Sequence, residues 1–510
     1  MLVASTSRGE TSLRSLAVPF LLLYLIVVYP LWAIPSPPLI DYPNHLARIF
    51  ILANPQHPVL AQFYESHWGV LPNLAMELFA TPLAMLLSVE VAGKLFISMI
   101  FLLVASGVLA AHYALHRRLS AWPWLSFFFL YNPFLLWGWL NYLFGLGLAL
   151  WLFAAWLVLR ERPSRWLVGP AGTLLLFFCH LLDFGVYMVL VSTYELGLMF
   201  TRGKGAKRLG SATLDLLSQG LVPAILFFSV SPTAGEGTLI SLSGLDEKIS
   251  ALRRVFDNYV GYLDFKLTFV PLAAAVVVGL ATRTVTVERR LLVPLAALLL
   301  IYAVLPPTLL TSAGGYPRFT IVLALFFIVA CDLRLSAAWI KYSLIVALVS
   351  LLLTREWVLW QHWRSMANES SEMRAALQTM PAGSRLLVKP KGGSFSTEGG
   401  AYLWHVPCLA VIDRNAFVSS VFASPRQQPL RVRERYRRWN ETSWNQLMET
   451  DLGALPFQEL EADFDYVIVI GAEAQDSAPP PRWLEEKESG ARFALYAVRH
   501  EAHEAPSQRP

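Results

Sequence analysis

Leu16 to Trp32 is an apolar run of the length a bilayer demands, and runs like it recur as far as Leu353. Inside hydrocarbon every backbone N–H and C=O needs a partner from the chain itself, so such runs fold as helices and exclude most other architectures. Of the 510 residues, 55% are hydrophobic and only 15% charged, which excludes an ordinary soluble domain. The later runs cover Val91–Leu115, Trp122 to Pro133, Asn141 to Arg160, Trp166–His180, Asp183 to Arg202 and Leu214–Val230. They continue through Leu267–Ala281, Arg290 to Pro306, Arg318 to Asp332 and Trp339–Leu353. The fold class expected is an α-helical polytopic membrane protein of about eleven spans.

Basic residues mark alternate turns: Arg117/Arg118, Arg160 to Arg165, Arg202 to Arg208, Arg283 to Arg290, and Arg334/Lys341. With the N-terminus inside, every one of these turns is cytoplasmic, as the positive-inside rule requires. The net charge of +5 is scattered over these turns rather than gathered on one face, which argues against a nucleic-acid partner. Arg8 and Arg14 precede the first run as in a signal peptide, but no convincing small-x-small cleavage site follows, so the run is read as an uncleaved span. An odd number of spans then leaves the rest of the chain outside.

After Arg355 charges and turn residues rise and the long apolar runs stop. The domain reading is therefore residues 1–354 in the membrane, with outer loops at about 34–78 and 231–266. A small extracytoplasmic α/β domain follows over 355–500, and 501–510 reads as a disordered tail. Arg385–Val388, Leu409–Ile412 and Asp465–Ile470 read as buried strands, and Leu46 to Leu52 as a short interfacial helix. Three cysteines, Cys179, Cys331 and Cys408, form neither a disulfide framework nor a zinc spacing.

The first outer loop opens with Pro35-Ser36-Pro37-Pro38-Leu39-Ile40-Asp41-Tyr42-Pro43-Asn44-His45-Leu46-Ala47-Arg48. Its prolines end the span, and a carboxylate, amide, imidazole and guanidinium follow within one short stretch. A carboxylate beside a histidine at a bilayer surface is costly to place, which marks Asp41 as a functional candidate; its structural alternative is an N-cap. Other outer-face polar residues are Glu65 and His67, Asn132 and Asn141, His180 and Asp183, Arg253, Arg254 and Asp257, and Tyr316 and Arg318. Asn132 and Asn141 read as structural, and His405 as an ordinary surface residue. Any chemistry on that face needs a membrane-borne activated donor, because nucleotides stay in the cytoplasm.

An acidic residue just after span one, about eleven spans and an outer C-terminal domain together resemble the GT-C superfamily of polyprenyl-phosphate-dependent glycosyltransferases. The resemblance covers nearly the whole chain, but Tyr42 follows Asp41 where many such enzymes have a second acidic residue. It implies transfer of a sugar from a polyprenyl-phosphate carrier to an acceptor hydroxyl on a glycan, lipid or protein, usually with inversion. Asp41 would be the catalytic base. Arg318 would hold the carrier phosphate, with Asn44, His45, Arg48, Glu65, His67, His180, Asp183 and Tyr316 as substrate-binding candidates. No motif indicates a cofactor, and the resemblance leaves a divalent metal open. The implied location is a bacterial inner membrane with the C-terminal domain periplasmic. The alternatives are a transporter or flippase of a lipid-linked intermediate and a non-catalytic envelope assembly protein.

Overall fold

The computed structural model describes residues 13–202, 206–235, 243–309, 312–335, 337–391, 400–441, 446–447, 450–471 and 480–499. The expected disordered tail at 501–510 lies outside the described residues. The chain divides into two compact units: residues 1–34, 72–76 and 94–362, and residues 35–71, 77–93 and 363–510. This division differs from a sequential boundary at 354/355, because most of the first outer loop belongs to the unit that contains the C-terminal region.

The first unit is built of apolar helices. Six described helices are long and apolar enough to cross a membrane: Val89–His116, Leu140–Leu159, Leu181–Met199, Gly210–Ser229, Tyr262–Ala281 and Ala338–Leu377. Three shorter apolar helices, Ala17–Ala33, Arg165–Cys179 and Gly315–Ala330, accompany them. Their lengths and compositions are those of a helical membrane protein. The expectation of about eleven spans is corrected at specific places. Trp122–Phe129 is a short 3₁₀ segment of 8 residues, and Leu292–Val304 has only 13. At about 2 Å per residue the 3₁₀ segment covers roughly half of a ~30 Å hydrocarbon core.

The break after Trp122–Phe129 has a local cause. Asn132 Oδ1 accepts from Phe134 N–H and Leu135 N–H at 2.9 and 3.1 Å, starting the helix Pro133–Trp137. Gly138, at φ 89°, then ends it in the left-handed region where a side chain would be strained. Asn141 secures the next helix: its Oδ1 accepts from Met76 N–H at 2.7 Å and its Nδ2 donates to the Asn73 carbonyl at 2.8 Å. Lys248 lies in a helix, Leu245–Arg253, inside the stretch expected to be loop. Its ammonium donates to the Tyr302, Ala303 and Leu305 carbonyls at 3.2, 2.5 and 3.2 Å, a cation at the negative end of Leu292–Val304.

The second unit carries a five-stranded mixed sheet in the order Leu484–Gly490, Phe493–Val498, Tyr466–Ile470, Arg385–Pro390, Phe417–Val418. The first two pairings are antiparallel and the last two parallel. Arg385–Pro390 and Tyr466–Ile470 fall on expected strands. Leu409–Ile412 does not: Leu409–Arg414 is a helix, closed by Asn415 at φ 53°. Four consecutive apolar residues fit a buried strand and a buried helix equally well.

The helix Tyr42–Ala53 packs on Leu409–Arg414 and Val406–Cys408, with nearly all its residues buried. It is a core helix of the second unit, which corrects the expectation of an interfacial one. Tyr64–Ser66 pairs antiparallel with Leu430–Val432 and ties the loop further to this unit.

Candidate functional site

Asp41 stands at the N-cap position of Tyr42–Ala53, with αR backbone angles and no side-chain capping bond. Capping normally needs the β-region backbone, which Asp41 does not adopt. Its side chain is 18% exposed, open enough to meet a second molecule, and Oδ1 lies 3.6 Å from Nε2 of His405. His405 was expected on the surface; it is buried, with its ring against Phe422 at 4.8 Å in an edge-to-face contact. Burial pushes its pKa down to about 4, so the imidazole is neutral at physiological pH. Asp41 and His405 lie 364 positions apart, so no local sequence signal marks the pairing.

The neighbouring residues of the helix are tied into the same unit. Asn44 Nδ2 donates to the Ser420 carbonyl at 2.7 Å and meets His405 Nδ1 at 3.1 Å, while Oδ1 accepts from Phe422 N–H at 2.8 Å. Arg48, 1% exposed, donates through Nε and Nη2 to one oxygen of Glu77, at 2.8 and 2.5 Å. Its Nη2 also meets His45 Nδ1 at 2.7 Å. Cys408 Sγ sits 3.5 Å from Ser420 Oγ, and burial pushes its thiol up to about 12. Glu65 and His67 belong to a different feature, the strand pair: Glu65 forms a half-exposed ion pair with Arg433 at 3.0 Å, and His67 N–H donates to the Pro429 carbonyl.

The first unit holds a second constellation. Arg318 lies in the first turn of Gly315–Ala330, 9% exposed, with its guanidinium carbon 4.3 Å from the ring centre of Trp139 and 5.6 Å from that of Tyr142. Tyr142 Oη donates to the Arg318 carbonyl at 2.6 Å, and its ring meets His180 edge-on at 5.5 Å. His180 Nδ1 is 3.5 Å from Asp183 Oδ2. Asp183 is fully buried, neither of its oxygens has a hydrogen-bond partner among the described residues, and it packs directly over Gly145. Gly314, at φ 80°, leaves room for the Trp139 indole.

The N-terminal amides of that helix are already engaged: Gly315 and Tyr316 N–H donate to the Pro307 and Pro306 carbonyls at 2.8 and 3.0 Å. A bound anion would therefore be held by the guanidinium rather than by the helix end. Tyr316 packs edge-on to Tyr302 at 5.9 Å with the Lys248 ammonium over its ring at 5.2 Å. Arg254 pairs loosely with Asp257 on the surface, at 4.0 Å.

A further polar cluster escaped sequence reasoning because its members are far apart in the chain. His112 and His116 stack at 4.2 Å, and Asp332, 1% exposed, meets Arg118 at 3.1 Å and His112 at 3.9 Å. Among the described residues no group of three or more His, Cys, Asp or Glu side chains is arranged to hold a metal ion. The fold is that of a helical membrane protein with a small strand-containing C-terminal region. No protein-family model matches the chain, and no curated protein matches it either.

Proposed function

We propose that the protein is a membrane glycosyltransferase of the GT-C kind, moving a sugar from a polyprenyl-phosphate carrier to an acceptor hydroxyl on the extracytoplasmic face. The observation that carries this reading is Asp41: a partly exposed carboxylate at the start of its helix, set beside a buried neutral histidine. In the proposed reaction Asp41 takes the proton of the acceptor hydroxyl as the new glycosidic bond forms. The bond to the carrier phosphate breaks at the same time, and its electron pair leaves on the phosphate. Phosphate is already a good leaving group, so no catalytic acid is required, and the reaction asks only for a cation at the carrier phosphate to stabilise the growing charge. The basic turns support a cytoplasmic N-terminus.

Asp183 favours one second reading. A buried carboxylate within a membrane helix is a mark of transport pathways, and a flippase of a lipid-linked intermediate would use it. Lipid extracts separate the two. Cells carrying Asp41→Asn accumulate a carrier-linked sugar under the transferase reading, with turnover reduced about 10²-fold or more at normal protein level. Unchanged carrier-linked sugar in Asp41→Asn cells, together with loss of export in Asp183→Asn, overturns the transferase in favour of the flippase.

A further inference from the structure

The polar groups behind Asp41 have a direction built into them. Phe422 N–H can only donate, so the atom of Asn44 facing it is the amide oxygen, and the amide nitrogen points toward His405 and the Ser420 carbonyl. An amide nitrogen meeting Nδ1 requires a lone pair there. A neutral imidazole with an unprotonated Nδ1 carries its proton on Nε2, and Nε2 is the atom 3.6 Å from Asp41 Oδ1. Two backbone groups, Phe422 N–H and Ser420 C=O, thus fix the amide, which fixes the tautomer of the ring.

We propose that His405 is a positioning residue for Asp41, held by Asn44 as the Nε2–H tautomer so that its N–H orients the carboxylate and supports its ionised form. This inference rests on the reading of Asp41 as the base. His405 keeps its proton throughout: Nδ1 faces an amide N–H that cannot accept one, so the proton taken from the acceptor stays on Asp41 and no relay runs through the ring. The role is the reverse of the familiar triad, in which a carboxylate orients a histidine base. The contact is slightly longer than a hydrogen bond, and such contacts tighten when substrate is bound.

Two measurements on the full-length protein test the inference. In nanodiscs, ¹⁵N-histidine NMR, with His405→Gln used to assign the resonance, should show the Nε2-protonated signature for His405. Asn44→Leu should convert it to a mixture of tautomers, and Asp41→Asn should shift its Nε2 resonance. In cells, His405→Phe should raise the carrier-linked sugar in lipid extracts as Asp41→Asn does, with turnover down about tenfold or more. His405→Gln, which restores an N–H at similar reach, should recover most of that loss. An Nδ1-protonated signature, or a resonance indifferent to Asp41→Asn, overturns the positioning role. So does a His405→Gln variant as impaired as His405→Phe, or a His405→Phe variant that turns over normally while Asp41→Asn does not. If the NMR result holds but neither Asp41→Asn nor His405→Phe alters the extract, the pair exists, while the base assignment and the positioning role both fall.

Discussion

Asp41 and Asp183 are both acids within reach of a histidine, at 3.6 and 3.5 Å, yet their surroundings differ in kind. Around Asp41 the partners are directional: an amide fixed by two backbone groups, a ring fixed by the amide, and beside them Arg48 fixed by Glu77. Around Asp183 the fixed elements are aromatic faces. Arg318 rests on Trp139 and Tyr142, His180 meets the edge of Tyr142, and the acid lies over a glycine with neither oxygen hydrogen-bonded among the described residues. Hydrogen bonds specify where an atom points, whereas cation–π and edge contacts specify only which groups are neighbours. Under the proposed function, the first arrangement suits a base that must meet a hydroxyl in one orientation. The second suits a charge that must be held in a membrane without being rigidly aimed.

The comparison makes Glu77→Ala the most damaging of four substitutions. It strands the Arg48 guanidinium, 1% exposed, without its carboxylate, and about 3–5 kcal/mol of stability should be lost, read as a fall in the unfolding midpoint in detergent. A midpoint within a degree of the parent would show that the directional network is not what holds the second unit together.

Next in size is a pH effect at His405. Its folded pKa of about 4 lies below the ordinary value of 6.5, so between those values the unfolded chain binds the extra proton. Stability from this group is complete above 6.5 and is lost as pH falls toward 4, by about 3 kcal/mol in all. Other groups of this neighbourhood are His45, Arg48, Glu77 and the Cys408 thiol, so the parent must be compared with His405→Gln. The variant should lose less stability on acidification, and identical acid profiles would remove His405 from the account.

Gly314→Ala probes the aromatic arrangement. The left-handed backbone and the Trp139 ring together should make it cost roughly 1–3 kcal/mol and loosen Trp139, seen as a change in tryptophan fluorescence. Asp183→Asn should have the smallest effect. With no hydrogen bond to its oxygens to lose, an isosteric amide should change stability by less than about 1 kcal/mol. A loss as large as that of Glu77→Ala would erase the contrast between the two acids.

Much of the helical part was legible because a bilayer-length apolar run has few alternatives. Val89–His116 and Leu140–Leu159 lie where the runs place them. Trp122–Phe129 was misread because apolar content says nothing about helix type, and the turn chemistry of Asn132 and Gly138 decided the outcome. Leu409–Arg414 was misread for want of length. Asn141 and Asn132 were legible as structural residues, since amides flanking a proline turn usually satisfy backbone groups. His405 was not legible: an isolated histidine among turn residues looks like surface until a helix from the other end of the chain is packed over it.

By itself the sequence determined that this chain is a helical membrane protein, because apolar length and the positions of charge act locally and need no knowledge of the fold. It also singled out Asp41, since a carboxylate next to a span end is conspicuous wherever the rest of the chain goes. Which groups face that carboxylate was decided only by tertiary structure. Contacts such as Asn44 with His405 and Arg48 with Glu77 join distant segments through a few ångströms of directional geometry, and no local pattern of residues encodes a direction in space.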